Sequence, residues 1–447
     1  MKRRMHNILF WVHVNVLAVL VVLAVYGLAH GRPAMPQQLA SVPASNARMD
    51  ELRRAGVLAL YNLDYEGAQK QFAEIARLYP EHPAGPQLLA TGLWLKTLNS
   101  SRRLQSGLYN TESFYKESEE KTDPKAVAQF RELTRTARTL AEARLKKNPK
   151  DVEALYYLGS TQGLRAAFAA AVERSFMSAL RAGSDAVDKH REVLKLDPNF
   201  HDAELSIGMY EYVAGSLPPL VKVIATFTGT RGSKKKGLAI LERVVTEGQW
   251  SNDEARVVLM TLYKREKRYA DALKYARELA AKYPRNYLFK LETADALVSQ
   301  AASERRAGNA AATANYEREA FAMFDALLRE RAARQLDQIH FQYGEALFVA
   351  GQHERAAKEF LAAATVANAE KNLATFARLR AAQSLDLAGK RSDALAQYKL
   401  VLESPNVYDS HEEAKRGLKE PFKKTDGKAK VEESGGAEAA SNVGDEK

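Results

Sequence analysis

The sequence predicts an all-α chain: a right-handed superhelical α-solenoid of short helix pairs, preceded by a single N-terminal hydrophobic helix. Three observations predict it. No stretch sustains the period-two alternation of apolar and polar residues that strands need. Small and aromatic residues recur at fixed intervals along most of the chain. Turns such as "YNLDYEGA" (Tyr61 to Ala68), "FVAGQHERA" (Phe348 to Ala356) and "DLAGKRSDA" (Asp386 to Ala394) separate the helical runs. The 447 residues, 46% hydrophobic and 27% charged, suffice for several domains or one elongated repeat domain.

At the N-terminus, Lys2, Arg3 and Arg4 precede an apolar run from Ile8 to Ala29. It is long enough to span a bilayer, which needs about 20 residues, and the basic flank places the N-terminus in the cytoplasm. His13 and Asn15 interrupt the run. The cleaner part from Val16 to Ala29 has the length of a signal-peptide core, with Gly27-Leu28-Ala29 as a cleavage site. Residues 1–31 therefore read as a signal anchor or a signal peptide. The repeat domain is expected on the periplasmic side of a bacterial cytoplasmic (inner) membrane as a single-pass protein, or free in the periplasm after cleavage.

The Pro-, Ala-, Ser- and Gln-rich residues 32–47 read as a linker, and 48–418 as the repeat domain, with an insert at 215–237. Residues 419–447 are charged, Gly/Ala-rich and nearly free of aromatics, the composition of a disordered tail.

The interval between special residues can be counted. Gly56, Ala68, Phe72 and Pro80 fall at offsets 0, 12, 16 and 24. Gly344, Ala356 and Phe360 fall at 0, 12 and 16, as do Ala382, Ala394 and Tyr398. Met260, Ala272, Ala276 and Pro284 follow with one substitution. Small residues on the two helices of a pair let them approach closely, an aromatic one turn later fills the gap beneath, and proline closes the unit. This rhythm resembles the tetratricopeptide repeat (TPR), with a period of about 34 residues. About eight helix pairs and a polar capping helix near His411 to Leu418 are expected. Gly159 and Gly208 are packing positions of two further pairs. The pair opened by Gly159 carries about 15 extra residues before Ala186, and another long gap separates Ala294 from Ala320; both are read as lengthened helices or loops.

One stretch breaks the rhythm: "GSLPPLVKVIATFTGTRGSKKKG", Gly215 to Gly237. Gly215 ends one helix, an extra apolar helix follows Ser216, and a flexible basic loop leads to a helix starting at Gly237. Ser216, Leu217, Pro218, Pro219, Gly229, Arg231, Gly232 and Gly237 form its signature. It is similar to the Ser-Leu-(Leu)-Pro-Pro…Gly-rich segment of the tetratricopeptide family of inclusion-body-clearance proteins and their bacterial relatives. Here one leucine precedes the prolines, and Arg231 stands before Gly232. That resemblance implies a helical-repeat interaction protein without catalysis. A looser likeness is to periplasmic helical-repeat partners of bacterial solute transporters.

Composition and motifs exclude much else. Cysteine is absent, so there is no disulfide, thiolate metal site, Cys nucleophile or lipoprotein anchor. The net charge of +11 is spread along the chain, not gathered on one element, so nucleic acid is not an expected partner. His353-Glu354 and His411-Glu412 begin like HExxH but continue to Ala357 and Lys415. Gly232 to Gly237 has the opening of a phosphate loop but runs on into Leu238-Ala239 with no strand before it. No metal, cofactor or enzymatic activity is expected.

The function read from the sequence is a membrane-tethered scaffold that holds a peptide or helix of another envelope protein in a concave groove. Tyr156, Tyr157, Tyr210 and Tyr212 are the candidate groove residues, since tyrosine gives area and a polar tip with little entropy to lose, with packing between repeats as their other reading. The alternative is a lipid- or solute-binding accessory of an envelope transport system that uses the apolar insert. The N-terminal helix makes the membrane a partner, and a lipid is a further candidate.

Overall fold

The computed structural model describes residues 44–100, 123–173, 175–217, 232–367, 369–407 and 409–423. The N-terminal apolar run, most of the linker, insert residues 218–231 and the tail from 424 lie outside them. The described residues form helices and turns with no strand, and none of their helices is long and apolar enough to cross a membrane. They divide into two compact units, one up to Leu327 and one from Leu328.

Unit 1 holds α1 (Ala44–Tyr61), α2 (Tyr65–Leu78), α3 (Ala84–Ser100), α4 (Pro124–Lys147), α5 (Val152–Ala171), α6 (Phe176–Leu196), α7 (Glu204–Gly215), α8 (Lys234–Glu247), α9 (Asn252–Arg265), α10 (Tyr269–Lys282), α11 (Tyr287–Arg306) and α12 (Ala310–Arg329), whose last residues reach the division. Within this order successive helices from α1 to α11 pack on one another. The second helix of each pair buries one stripe: α2 buries Ala68, Phe72 and Ile75, and α10 buries Ala272, Leu273, Tyr275, Ala276 and Leu279. The first helices are enclosed on more of their circumference, and α5 buries nearly every residue from Ala154 to Ala171. By this criterion the first helices line the inside of unit 1 and the second helices its outside.

The pairs are of the tetratricopeptide type. A Cβ built on Gly56 would lie 2.3 Å from the Phe72 ring, so only glycine admits the aromatic at that depth. The extra residues after Gly159 lengthen both helices: α5 has 20 residues and α6 has 21. The gap from Ala294 to Ala320 is filled the same way by α11 and α12, each of 20 residues, joined by a tight turn at Gly308. Tyr79 and Tyr283 cap α2 and α10 and are followed by Pro80 and Pro284, because proline disfavours helical backbone in the residue before it.

One boundary differs from the sequence reading. The lysine run is the first turn of α8 and not a loop, with Ser233 as its N-cap accepting from the Lys236 N–H at 3.4 Å. Lysine is a good helix former, and acidic neighbours offset its poor match to the positive helix start. Lys236 Nζ lies 2.7 Å from Glu211, and Lys234 Nζ lies 2.8 Å from Glu266.

Unit 2 holds α13 (Arg331–Arg334), α14 (Asp337–Val349), α15 (His353–Thr365), α16 (Lys371–Leu387), α17 (Arg391–Leu402) and α18 (Ser410–Lys419). Gly344 receives the Phe360 ring as Gly56 receives Phe72, with a built Cβ at 2.7 Å. Ala356, Ala382 and Ala394 are fully buried, and Tyr398 lies over Gly417 of α18, so that helix is seated by a small residue and is not a merely polar lid. The fully buried Asp386 side chain gathers this end: it pairs with Arg391 and accepts from the Tyr398 hydroxyl at 2.9 Å and the Phe422 N–H at 2.8 Å.

Candidate functional site

The first helices of unit 1 bring charged and aromatic side chains into its interior. Arg53 on α1 is 4% exposed, and its guanidinium carbon lies 3.8 Å from the centre of the Trp250 ring. It donates to the Tyr157 hydroxyl at 3.1 Å and pairs with Asp50 one turn earlier on α1. A buried guanidinium is tolerable only when paired and stacked, and this one has both. Burial pushes the Tyr157 hydroxyl up to about 12, with the Arg53 charge pulling the other way.

Trp250 sits on the loop between α8 and α9, and Asp202 fixes that loop. The Asp202 carboxylate accepts from the N–H groups of Gln249 at 3.1 Å, Trp250 at 2.7 Å and Ser251 at 2.7 Å. Burial raises the Asp202 carboxyl, and the three N–H donors act against that rise. Nearby Glu254 is 4% exposed, and its Oε2 has no hydrogen-bond partner. Burial, with the Asp202 charge second, lifts the Glu254 carboxyl well above the ordinary range.

Tyr156 ties the layers together. Its hydroxyl lies 3.3 Å from Ser251 Oγ, and its ring meets Phe200 at 5.0 Å, Trp250 at 5.3 Å and His190 at 5.3 Å between centroids. His190 Nε2 faces the Tyr156 carbonyl at 3.1 Å, so that nitrogen carries the proton and Nδ1 accepts from Ser206 Oγ at 2.6 Å. Burial lowers His190 to about 4, so it is neutral at pH 7. At the edge, Glu153 meets His82 Nε2 at 3.1 Å and Arg144 at 3.3 Å. Burial opposes ionisation of Glu153, but these partners hold its carboxyl below the ordinary range.

Two parts of unit 1 that are distant in sequence also meet. Tyr61, the last residue of α1, stacks on Tyr283 at 4.8 Å. Asn286 Nδ2 donates to the Tyr61 carbonyl at 2.7 Å, and the Arg285 N–H donates to Asn62 Oδ1 at 3.3 Å. The first pair thus touches the loop between α10 and α11 directly.

The candidate tyrosines are placed by this closure. Tyr156, Tyr157 and Tyr212 are 7%, 2% and 0% exposed, enclosed in the unit's own packing rather than presented on an open groove. The reason is that α1 and the α8–α9 loop cover α5, while Tyr212 turns toward α9 and donates to Glu266 at 2.6 Å. Tyr210 is half-buried. Arg53, Trp250, Asp202 and Glu254 carried no motif that would single them out. His190 did carry a signal: it follows Ala186 by the four residues that separate Ala68 from Phe72.

Of the insert signature, Pro218, Pro219, Gly229 and Arg231 lie outside the described residues. Ser216 and Leu217 end the α7 side, and Ser216 Oγ donates to the Tyr212 carbonyl at 2.7 Å. Gly232 and Gly237 hold α7 and α8 together: a Cβ on Gly237 would lie 2.5 Å from the Gly208 carbonyl oxygen, and one on Gly232 2.5 Å from the Glu211 carbonyl oxygen. A Cβ on Gly215 would meet the Lys234 backbone nitrogen in the same way, at 2.4 Å. The insert therefore leaves and rejoins the repeat through a neck of backbone against backbone.

No family model matches the chain, and no curated protein matches it. Among solved structures it is similar to tetratricopeptide proteins. The human IFIT1 dimer with PPP-AAAA has a TM-score of 0.41 at 12% identity, covering 85% of this chain and 86% of that one. TTC0263, a thermophilic TPR protein of Thermus thermophilus, has a TM-score of 0.32 at 15% identity, covering 56% and 99%. Yeast Tom70 has a TM-score of 0.33 at 13% identity, covering 84% and 81%.

Proposed function

We propose that this chain is an exported, membrane-tethered scaffold whose tetratricopeptide-like repeats bind another protein in the cell envelope. The observation that carries the binding role is the make-up of the unit 1 interior. Arg53, Tyr157, Trp250 and Tyr156 are held there by mutual contacts that combine charge, aromatic area and hydrogen-bonding tips. Such groups are enriched at recognition surfaces, and here α1 and the α8–α9 loop cover them. The tethering and the periplasmic placement rest on the basic-then-apolar start of the sequence.

The test is in-cell cross-linking followed by mass spectrometry of complexes captured through a C-terminal tag, with protease protection of the tag in spheroplasts. The reading expects a recurrent envelope protein cross-linked to residues of unit 1 or unit 2, and a tag digested only from outside the inner membrane. A tag protected in spheroplasts overturns the placement. Cross-links to no protein, with lipid or solute co-purifying instead, overturn the scaffold role.

A further inference from the structure

We infer that α1 is a displaceable occupant of the unit 1 interior, and that this interior takes an amphipathic helix from a partner with the recognition pattern of α1: an aspartate, an arginine one turn later, then an apolar edge ending in an aromatic residue.

Three observations converge on this. The contacts of α1 with distant parts of unit 1 are those of a docked helix: Arg53 enters between Trp250 and Tyr157, and Tyr61 lies on Tyr283. Arg53 and Tyr61 carry the polar and ring contacts across unit 1, while α1 packs on its own partner α2 around Gly56. The closed arrangement also leaves buried polar atoms unused. Arg53 Nε, on the docked helix, and Glu254 Oε2, on the receiving side, have no hydrogen-bond partner. A site built solely for permanent packing satisfies such atoms. Finally, the receiving side is held by contacts that do not involve α1: the Trp250 N–H by Asp202, and Tyr156 by Ser251 and His190. A helix bringing an arginine meets the indole face and the Tyr157 hydroxyl as Arg53 does. This deepens the scaffold reading by naming the kind of partner, and it rests on that reading. The experiment below uses only this chain's own helix, so the two can fail separately.

A fluorescein-labelled peptide of residues 44–61 is titrated into three forms of the full chain by fluorescence anisotropy. The forms are the unmodified chain, the variant Arg53→Ala/Tyr61→Ala, and the variant Asn62→Cys/Arg285→Cys bridged by a short bis-maleimide. The bridge is selective because the chain has no cysteine of its own. The weakened variant should bind the peptide at least tenfold more tightly than the unmodified chain, the bridged form should not bind it, and a peptide with Arg53→Ala should lose the gain. Equal binding by all three forms, or no binding by a weakened variant that retains its helical circular dichroism, overturns the inference. Native-state hydrogen exchange on the unmodified chain decides the matter if the weakened variant does not fold. Amides of 44–61 should then open at least tenfold more often than those of α9. Exchange of both only through global unfolding overturns it.

Discussion

The imidazole of His190 occupies the space that the missing side chain of Gly159 leaves: a Cβ built on Gly159 would lie 2.4 Å from the ring. Elsewhere in the chain that place belongs to Phe72 or Phe360. A titratable ring at a core position makes unit 1 acid-sensitive. The folded-state value of about 4 is depressed from 6.5, so the unfolded chain binds the extra proton more readily. The neutral ring costs nothing above pH 6.5, and stability falls as the pH drops from there toward 4. Linkage puts the loss between pH 7 and pH 5 at about 2 kcal/mol. Urea unfolding at both pH values should show it in the wild type, and the variant His190→Phe should reduce that difference by the same amount.

The glycine contacts predict opposite signs for one substitution. Gly56→Ala and Gly344→Ala drive a methyl group into the Phe72 and Phe360 rings and should destabilise by about 1–3 kcal/mol. Gly163→Ala meets nothing closer than the Ala186 Cβ at 3.9 Å and gains helix propensity, so it should stabilise by about 0.5–1 kcal/mol. Chemical denaturation of the three variants side by side checks the ranking.

Removing the carboxylate that gathers three N–H groups should free the loop that carries Trp250. Asp202→Ala is expected to cost about 3 kcal/mol, because charge-assisted bonds are lost together and their donors stay buried. A red-shifted tryptophan emission before the main unfolding transition reports the release of Trp250. An unchanged spectrum at native-like stability contradicts this role.

Glu254 should behave in the opposite way to an ordinary surface carboxylate. Its folded-state value is raised, so the protonated form is favoured in the fold. Stability from this group is full below the usual glutamate range and is lost as the pH rises through the folded value. The isosteric Glu254→Gln should therefore raise the unfolding midpoint at pH 8 and leave it nearly unchanged at pH 4. Thermal scans at the two pH values measure it.

The repeat was legible in the sequence where its contacts are local. Gly56 with Phe72, and Gly344 with Phe360, are joined by a fixed sequence interval, so periodicity reaches them. His190 escaped because the lengthening of α5 and α6 moved it while preserving its place beneath Gly159. The contacts of Tyr61 with Tyr283 and of Arg53 with Trp250 follow from the curvature of the stacked pairs, and no interval in the chain encodes them. For the same reason Tyr156 and Tyr157 proved enclosed: the residue types were readable, and the distant α1 and α8–α9 loop that cover them were not.

The neck at Gly208, Gly215, Gly232 and Gly237 has a mechanical meaning. Helices that touch through side chains can slide when a rotamer changes. Where backbone meets backbone there is no rotamer to change, and α7 and α8 meet in that way. This joint is stiff. A pull applied between its two arms is passed on to α6 and α9, the helices packed on α7 and α8, with little of it absorbed at the joint.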